Sequence, residues 1–301
     1  MHFALAVFVY RGSEMKRFLV KIVLLLILLH QSACATIYST CSFDAAAKKI
    51  VNKLTKGDIV FLDIDRTIVE INDPFYYILH PSECVMKDDD VTWAAEIKKR
   101  FDSEVLAGVA QYLYGSLYST YGMRLVEDSL PFIISFFIEQ GVNVIAVTST
   151  DPGAMLDGLI VHESRFESLD ALGIDLSGQF DDGTINFSML EPSTNNQDKS
   201  SAYPTFYKGM FLVGKKNKKS RSILEFIKHF KLKPARVAFF DDHRPHVEDV
   251  SKIMEAAKIE CDAFWYLGSY KKVVTFDREN IELRLKHLIE KNEFCRLPVS
   301  L

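Results

Sequence analysis

Ile59-Val60-Phe61-Leu62-Asp63-Ile64-Asp65-Arg66-Thr67 is the stretch that decides the reading of this chain. Four unbroken apolar residues match a short strand buried on both faces, the pattern of a parallel sheet. The run then stops at two carboxylates two residues apart. Downstream, Val142 to Val147 repeats the design and delivers Thr148-Ser149-Thr150, and Arg236 to Phe240 runs into Asp241-Asp242. Ala263 to Leu267 reads as a fourth strand.

Helical patterns separate these strands. Residues 42–56 form an amphipathic pattern that Lys56-Gly57 stops. Leu130, Ile133, Ile134, Phe137 and Ile138 make one stripe, with Asp128 or Ser129 as cap, Pro131 in the first turn and Gly141 as terminator. A third helix opens at Lys219, with Ile223, Phe226, Ile227 and Phe230 on its apolar face. Strands alternating with helices predict an α/β fold with a mostly parallel sheet and flanking helices. In such a sheet the ligand crevice lies beyond the carboxyl ends of the strands. Three strands place polar residues there.

Two stretches depart from the alternation. Residues 71–126 read as a mostly helical insertion, with Trp93, Ile97, Phe101, Val105, Val109 and Tyr112 at helical spacing. Residues 165–213 suggest short strands at 184–187 and 210–213 around a polar loop at 193–201. No internal repeat is visible. The acidic run Asp88-Asp89-Asp90 reads as a solvated loop.

With 301 residues, 48% apolar and 25% charged, the chain has the composition of a globular protein. A net charge of −4 lacks the basic excess of a nucleic-acid binder. The amino terminus is different. Met15-Lys16-Arg17-Phe18-Leu19-Val20-Lys21 precedes the apolar run Ile22 to Leu29, and Ala33-Cys34-Ala35 follows. A basic patch, a short apolar run and an Ala-x-Ala arrangement describe a secretory signal peptide over residues 1–35. The run falls short of the roughly 20 residues that cross a bilayer, so a membrane is a partner only if this segment stays uncleaved. Residues 1–14 do not look like a signal's leading region, which makes Met15 a candidate start. Export to the periplasm or beyond would put Cys41, Cys84, Cys261 and Cys295 in an oxidising compartment, with room for up to two disulfides. A Cys41–Cys295 bond would tie the two ends together, but spacing does not assign it.

Asp63 and Asp65 can project to one side and share a divalent cation, one carboxylate attacking phosphorus while the other moves a proton. Asp241-Asp242 adds carboxylates from another strand end, an oxygen-only set that suits Mg²⁺ better than zinc. Thr148 and Ser149 offer hydroxyl and backbone donors to a phosphoryl group. Lys219, by register at the start of its helix, adds charge to that helix's anion-attracting terminus, with Lys218 as the alternative. Tyr76, Tyr77 and His80, and His243 and His246 beside the Asp pair, fit ordinary packing better than chemistry.

The ordered set, Asp-x-Asp-x-Thr, then Thr, then Lys, then Asp-Asp, resembles the motifs of the haloacid dehalogenase-like (HAD) superfamily over roughly residues 55–270. Phe61 to Thr67, Val144 to Ser149, Leu172-Gly173-Ile174-Asp175 and Tyr207-Lys208-Gly209-Met210-Phe211 resemble, more narrowly, an exported bacterial family of unknown function within it. The resemblance implies a Rossmann-like HAD core over 36–70 and 127–301 and a helical cap over 71–126. It implies Asp63 as the nucleophile of an aspartyl-phosphate and Asp65 as general acid/base. The Asp63 carboxylate, the main-chain oxygen of Asp65 and Asp242 would hold Mg²⁺, with Asp241 in support, and Thr148 and Lys219 would bind phosphoryl oxygens. The lysine run is a departure, since the closer family more often has Lys-Gly there. The implied activity is a Mg²⁺-dependent phosphatase acting on a small phosphorylated substrate. The alternative is an exported binding or host-interaction protein that keeps the fold without turnover.

The export reading is checked by sequencing the amino terminus of the protein recovered outside the cytoplasm. Cleavage after Ala35 predicts a chain beginning at Thr36; retention of residues 15–35 overturns it.

Overall fold

The computed structural model describes residues 35–81, 84–105, 123–154, 160–180, 183–194, 201–271 and 273–291. The expected signal segment before Ala35, Val109 and Tyr112 of the insertion, and Cys295 of the candidate disulfide lie outside these residues.

The described residues begin with strand β1 (Ala35–Thr40) and helix α1 (Phe43–Ile50), followed by β2 (Ile59–Leu62) and β3 (Val69–Ile71). Helices α2 (Pro74–Leu79) and α3 (Asp88–Glu104) come next, then β4 (Met123–Leu125) and α4 (Leu130–Glu139). Strand β5 (Asn143–Thr148) leads to α5 (Val161–Asp170) and the short strands β6 (Ile185–Asn186), β7 (Ser193–Thr194) and β8 (Ser201–Ala202). After β9 (Thr205–Tyr207) and β10 (Met210–Leu212) come α6 (Lys219–His229), β11 (Arg236–Asp241), α7 (Arg244–Ala256), β12 (Glu260–Tyr266) and α8 (Arg278–Lys291).

The main sheet orders its strands β1-β12-β11-β2-β5-β10-β9-β6. From β1 to β10 every pairing is parallel, and β9 and β6 add an antiparallel edge. The fold is therefore the expected α/β class, a Rossmann-like, mostly parallel sheet with helices on both faces. From β2 the chain builds first towards β5 and β10, then returns to place β11 on the other side. The β2–β11 boundary is thus the point where strand order reverses, and the crevice for a ligand opens at its carboxyl end.

Alternation along β2 feeds two cores. Val60 and Leu62 pack under α1 and α4 with Phe43, Ile134, Phe137 and Phe240. Ile59 and Phe61 face α6 and α7, against Ile223, Phe226, Val250 and Phe239. Each such buried side chain stabilises the fold by about 1.5–3 kcal/mol relative to exposure. Lys208 and Gly209 both have positive φ, 44° and 79°, the two-residue turn that joins β9 to β10. A Cβ on Gly209 would strike the Leu176 carbonyl oxygen, so Gly is required.

The insertion has its own core. Phe75, Ile78, Leu79, Ala94, Ile97 and Phe101 of α2 and α3 pack on Ile281, Leu285 and Leu288 of α8. The tail helix thus joins the insertion's core. Arg284 donates to both carboxylate oxygens of buried Asp73, at 3.0 and 2.7 Å, and its guanidinium lies over the Phe75 ring. Strands β3 and β4 pair antiparallel at the insertion's base.

Several local expectations are corrected. The first helix ends at Ile50, short of Lys56. Ser129 occupies the cap of α4 but makes no side-chain capping bond. Asp88, Asp89 and Asp90 form the first turn of α3 instead of a loop, where carboxylates favour the helix dipole, and Asp90 pairs with Arg278. Helix α5 and strand β1 were not foreseen. Tyr76 and Tyr77 are buried in packing, and the Tyr77 hydroxyl donates to the Ile71 carbonyl.

Asp73→Ala removes a helix cap and leaves Arg284 buried without its carboxylate. The expected loss is about 3–5 kcal/mol in equilibrium unfolding, the usual result of breaking a buried pair from one side.

Candidate active site

Parallel register sets the site. Leu62 pairs with Phe240 and with Ala146, so Asp63, the next residue, stands level with Asp241 on one side and Val147 on the other. The Asp63 amide continues the ladder by donating to the Phe240 carbonyl at 2.8 Å. The chain then turns tightly. Ile64 accepts from the amides of Thr67, Ile68 and Val69, which carries Asp65 and Arg66 off the sheet.

Asp63, Asp241 and Asp242 are all buried, and one oxygen from each lies within 4.8 Å of the others. Buried Lys219, the first residue of α6, reaches into this group. Its Nζ donates to Asp63 Oδ1 and, at 2.7 Å, to Asp241 Oδ2. Lys218 turns outward to Asp249 at 2.9 Å, so of the two lysines only Lys219 meets the carboxylates. The Asp241 carboxylate is also held by the His243 amide at 2.8 Å and lies 3.1 Å from His246 Nδ1. Asp242 Oδ2 lies 3.1 Å from Arg66 Nε and accepts from the Tyr270 hydroxyl at 2.9 Å.

One lysine charge cannot serve both of its partners equally. Burial works to lower the Lys219 ammonium's pKa, but Asp241 and Asp63 outweigh it and hold it above the ordinary lysine value. Burial pushes Asp241 up, and Lys219 with His246 more than offsets that, leaving it below the usual carboxylate range. Asp63 goes the other way. Burial, reinforced by Asp241, Asp242 and Asp65, raises it well above the usual range despite Lys219. Burial also raises Asp242, against the opposing Arg66 charge. The corner therefore gathers three buried carboxylates around one lysine. Its donors are all oxygens, and these residues fit a hard divalent cation such as Mg²⁺.

Asp65 stands apart from this group. Its carboxylate, with the side chain 32% exposed, accepts on both oxygens from Arg165 Nη2 at 3.0 and 3.2 Å. The Asp65 carboxylate is therefore turned to a guanidinium, not shared with the three aspartates. Arg165 comes from α5 and escaped the sequence reading. Thr148 is buried at the end of β5, where its hydroxyl meets the Thr150 hydroxyl at 3.0 Å and accepts from the Thr150 amide. Ser149 follows it, half-buried at the same edge. The neighbouring loop is tied down by Asp151, which accepts from Ser193 Oγ and the Lys215 amide.

Lys219→Met leaves Asp63 and Asp241 facing each other without a cation, and should cost about 3–5 kcal/mol in unfolding experiments. Adding Asp63→Asn to that variant removes one of the opposed charges and should restore part of the loss. A strictly additive double variant would show that the two residues do not interact.

Solved structures similar to the chain include the HAD domain of effector protein Lem4 from Legionella pneumophila. Its inactive mutant is 11% identical, with a TM-score of 0.34, over 79% of this chain and 96% of that one. A second structure of the same domain is 13% identical, with a TM-score of 0.35, over 79% and 97%. Among curated proteins none matches the chain. The model of a family described as protein of unknown function, DUF2608, matches residues 39–294, and the chain belongs to that family.

Proposed function

We propose that this protein is a Mg²⁺-dependent phosphoric monoester hydrolase that works through an aspartyl-phosphate on Asp63. One observation carries the reading: three buried aspartates from two strand ends share a corner with Lys219 at the point where strand order reverses.

Asp63 is the nucleophile. Its oxygen forms the bond to phosphorus as the bond to the leaving oxygen breaks, and the ester's alcohol departs with a proton from Asp65. Asp65, now a carboxylate, takes a proton from the water that attacks phosphorus; the Asp63–phosphorus bond breaks, phosphate leaves, Asp63 returns as a carboxylate and Asp65 as the protonated acid. To do this Asp65 gives up Arg165 in part, so substrate entry exchanges that ion pair. Lys219 sits on the attacking carboxylate and neutralises charge that gathers on the phosphoryl oxygens. Thr148 and Ser149, at the end of the adjacent strand, offer hydroxyl and backbone donors to the same oxygens. Asp241 anchors Lys219, so its carboxylate positions the lysine as well as adding charge. Asp63 and Asp242, with the Asp65 carbonyl oxygen and with Asp241 behind them, would hold Mg²⁺. When bound, that ion supplies charge neutralisation for the transferring phosphoryl group.

In this reading the insertion and α8 form the cap that selects a small phosphorylated substrate. With residues 1–35 as a secretory signal peptide, the reaction would take place outside the cytoplasm, in the periplasm or beyond. With a net charge of −4 and no basic excess, no nucleic acid is expected as a partner.

Purified protein should hydrolyse an aryl phosphate in Mg²⁺ and lose the activity on chelation. Asp63→Asn should lower kcat/KM by roughly 10³-fold or more, as loss of a covalent nucleophile does. Turnover that survives Asp63→Asn overturns the mechanism. Absence of turnover across a phosphate-ester panel, with retained ligand binding, would instead favour a binding protein.

A further inference from the structure

The contact among Arg66, Tyr270 and Asp242 is used by none of the steps above. Arg66 has φ 65°, a left-handed conformation that side chains other than Gly, Asn and Asp seldom adopt. Its amide donates to the Val69 carbonyl at 2.6 Å, which closes the turn after Asp63. The guanidinium is partly exposed and reaches buried Asp242. Nε lies 3.1 Å from Asp242 Oδ2 and Nη1 donates to the Tyr270 hydroxyl at 2.9 Å. The Tyr270 hydroxyl in turn donates to the same Asp242 Oδ2, also at 2.9 Å, which closes a three-membered ring of contacts. The Arg66 guanidinium also lies over the Tyr270 ring, 5.5 Å from its centre. From below, Trp265 Nε1 donates to the Asp242 carbonyl oxygen at 3.0 Å, so backbone and side chain are both fixed.

One hydrogen bond, from Tyr270, and one ion-pair contact, from Arg66, fall on the same Asp242 oxygen and leave the other for a ligand. Among the described residues Asp242 Oδ1 accepts no hydrogen bond. We propose that Arg66 and Tyr270 are positioning residues for Asp242, holding one of its oxygens so that the other faces a divalent cation shared with Asp63. A carboxylate oriented in advance loses less freedom when the ion binds, and such outer partners commonly contribute 10- to 100-fold in metal affinity. The inference rests on the cation-site reading of the proposed function.

A simpler role for Arg66 is a counter-charge that stands in for the ion, and the two roles differ in sign. If Arg66 only competes with the cation, removing its charge strengthens cation binding. If it positions Asp242, removing it weakens binding. The test is calorimetric titration of Mg²⁺ into the full chain without substrate, for wild type, Tyr270→Phe and Arg66→Met. Tyr270→Phe deletes only the hydroxyl and changes no charge; it should weaken Mg²⁺ binding about tenfold. Arg66→Met should weaken it too, and the double variant should lose less than the product of the two, because both act on one oxygen. Unfolding midpoints without metal establish that each variant folds. If Arg66→Met does not fold, Arg66→Lys replaces it, keeping the charge but not the planar fork, and weaker binding is again expected.

Unchanged affinity in Tyr270→Phe, or tighter binding in Arg66→Met, overturns the proposal. A wild type that binds no Mg²⁺ removes the cation site and this inference together. Mg²⁺ binding without phosphate turnover removes the catalytic reading and leaves the positioning role in place.

Discussion

Everything at the carboxyl edge of the sheet depends on keeping three carboxylates buried in one corner. Desolvating an ion costs several kcal/mol even after the protein relaxes, and like charges add to that. Lys219 meets part of the demand, serving Asp241 and Asp63 together, and Arg66 meets part at Asp242. At Asp63 burial, reinforced by the neighbouring carboxylates, outweighs Lys219 and raises the carboxyl's pKa well above the usual range. A site of this kind is suited to take up positive charge or to engage a polyanionic group beside a cation.

The fold makes that burial possible by supplying the compensating groups from rigid places. Asp63 and Asp241 stand level because β2 and β11 are in parallel register, and neither can shift without flipping the alternation that fills both cores. Lys219 arrives from the first residue of α6, whose apolar face is fixed on the sheet by Ile223, Phe226 and Ile227. A second layer comes from farther away. Tyr270 lies on the turn between β12 and α8, and α8 completes the insertion's core through Ile281, Leu285 and Leu288. The segment that closes the insertion's core is thus continuous with one that touches Asp242.

Much of this was legible in the chain itself, for identifiable reasons. A strand buried on both faces has to be an unbroken apolar run, so its end is marked by the first polar residue, and Asp63, Thr148 and Asp241 are those residues. Lys219 was legible because the apolar spacing behind it set the helical register. Arg165 was not. On α5 the buried residues are Val161, Arg165 and Leu169, so a charged residue occupies the middle of the inward stripe and hides the helix's periodicity. Tyr270 belongs to a three-residue turn with no periodicity at all. The Asp88 to Asp90 run misled because acidic clusters suit solvent and a helix's first turn equally well.

The sequence alone determined the α/β class, the parallel central strands and the set of carboxylates at their ends, because local burial and strand length dictate those patterns. Only the tertiary structure decided which of them meet. Parallel register joined Asp63 to Asp241 and Asp242, whereas the turn after Asp63 carried Asp65 away to Arg165, and no local rule encodes a contact between residues 100 positions apart. It decided as well that the tail helix would complete the insertion's core, since an apolar face reveals that it needs a partner but not which distant segment will cover it.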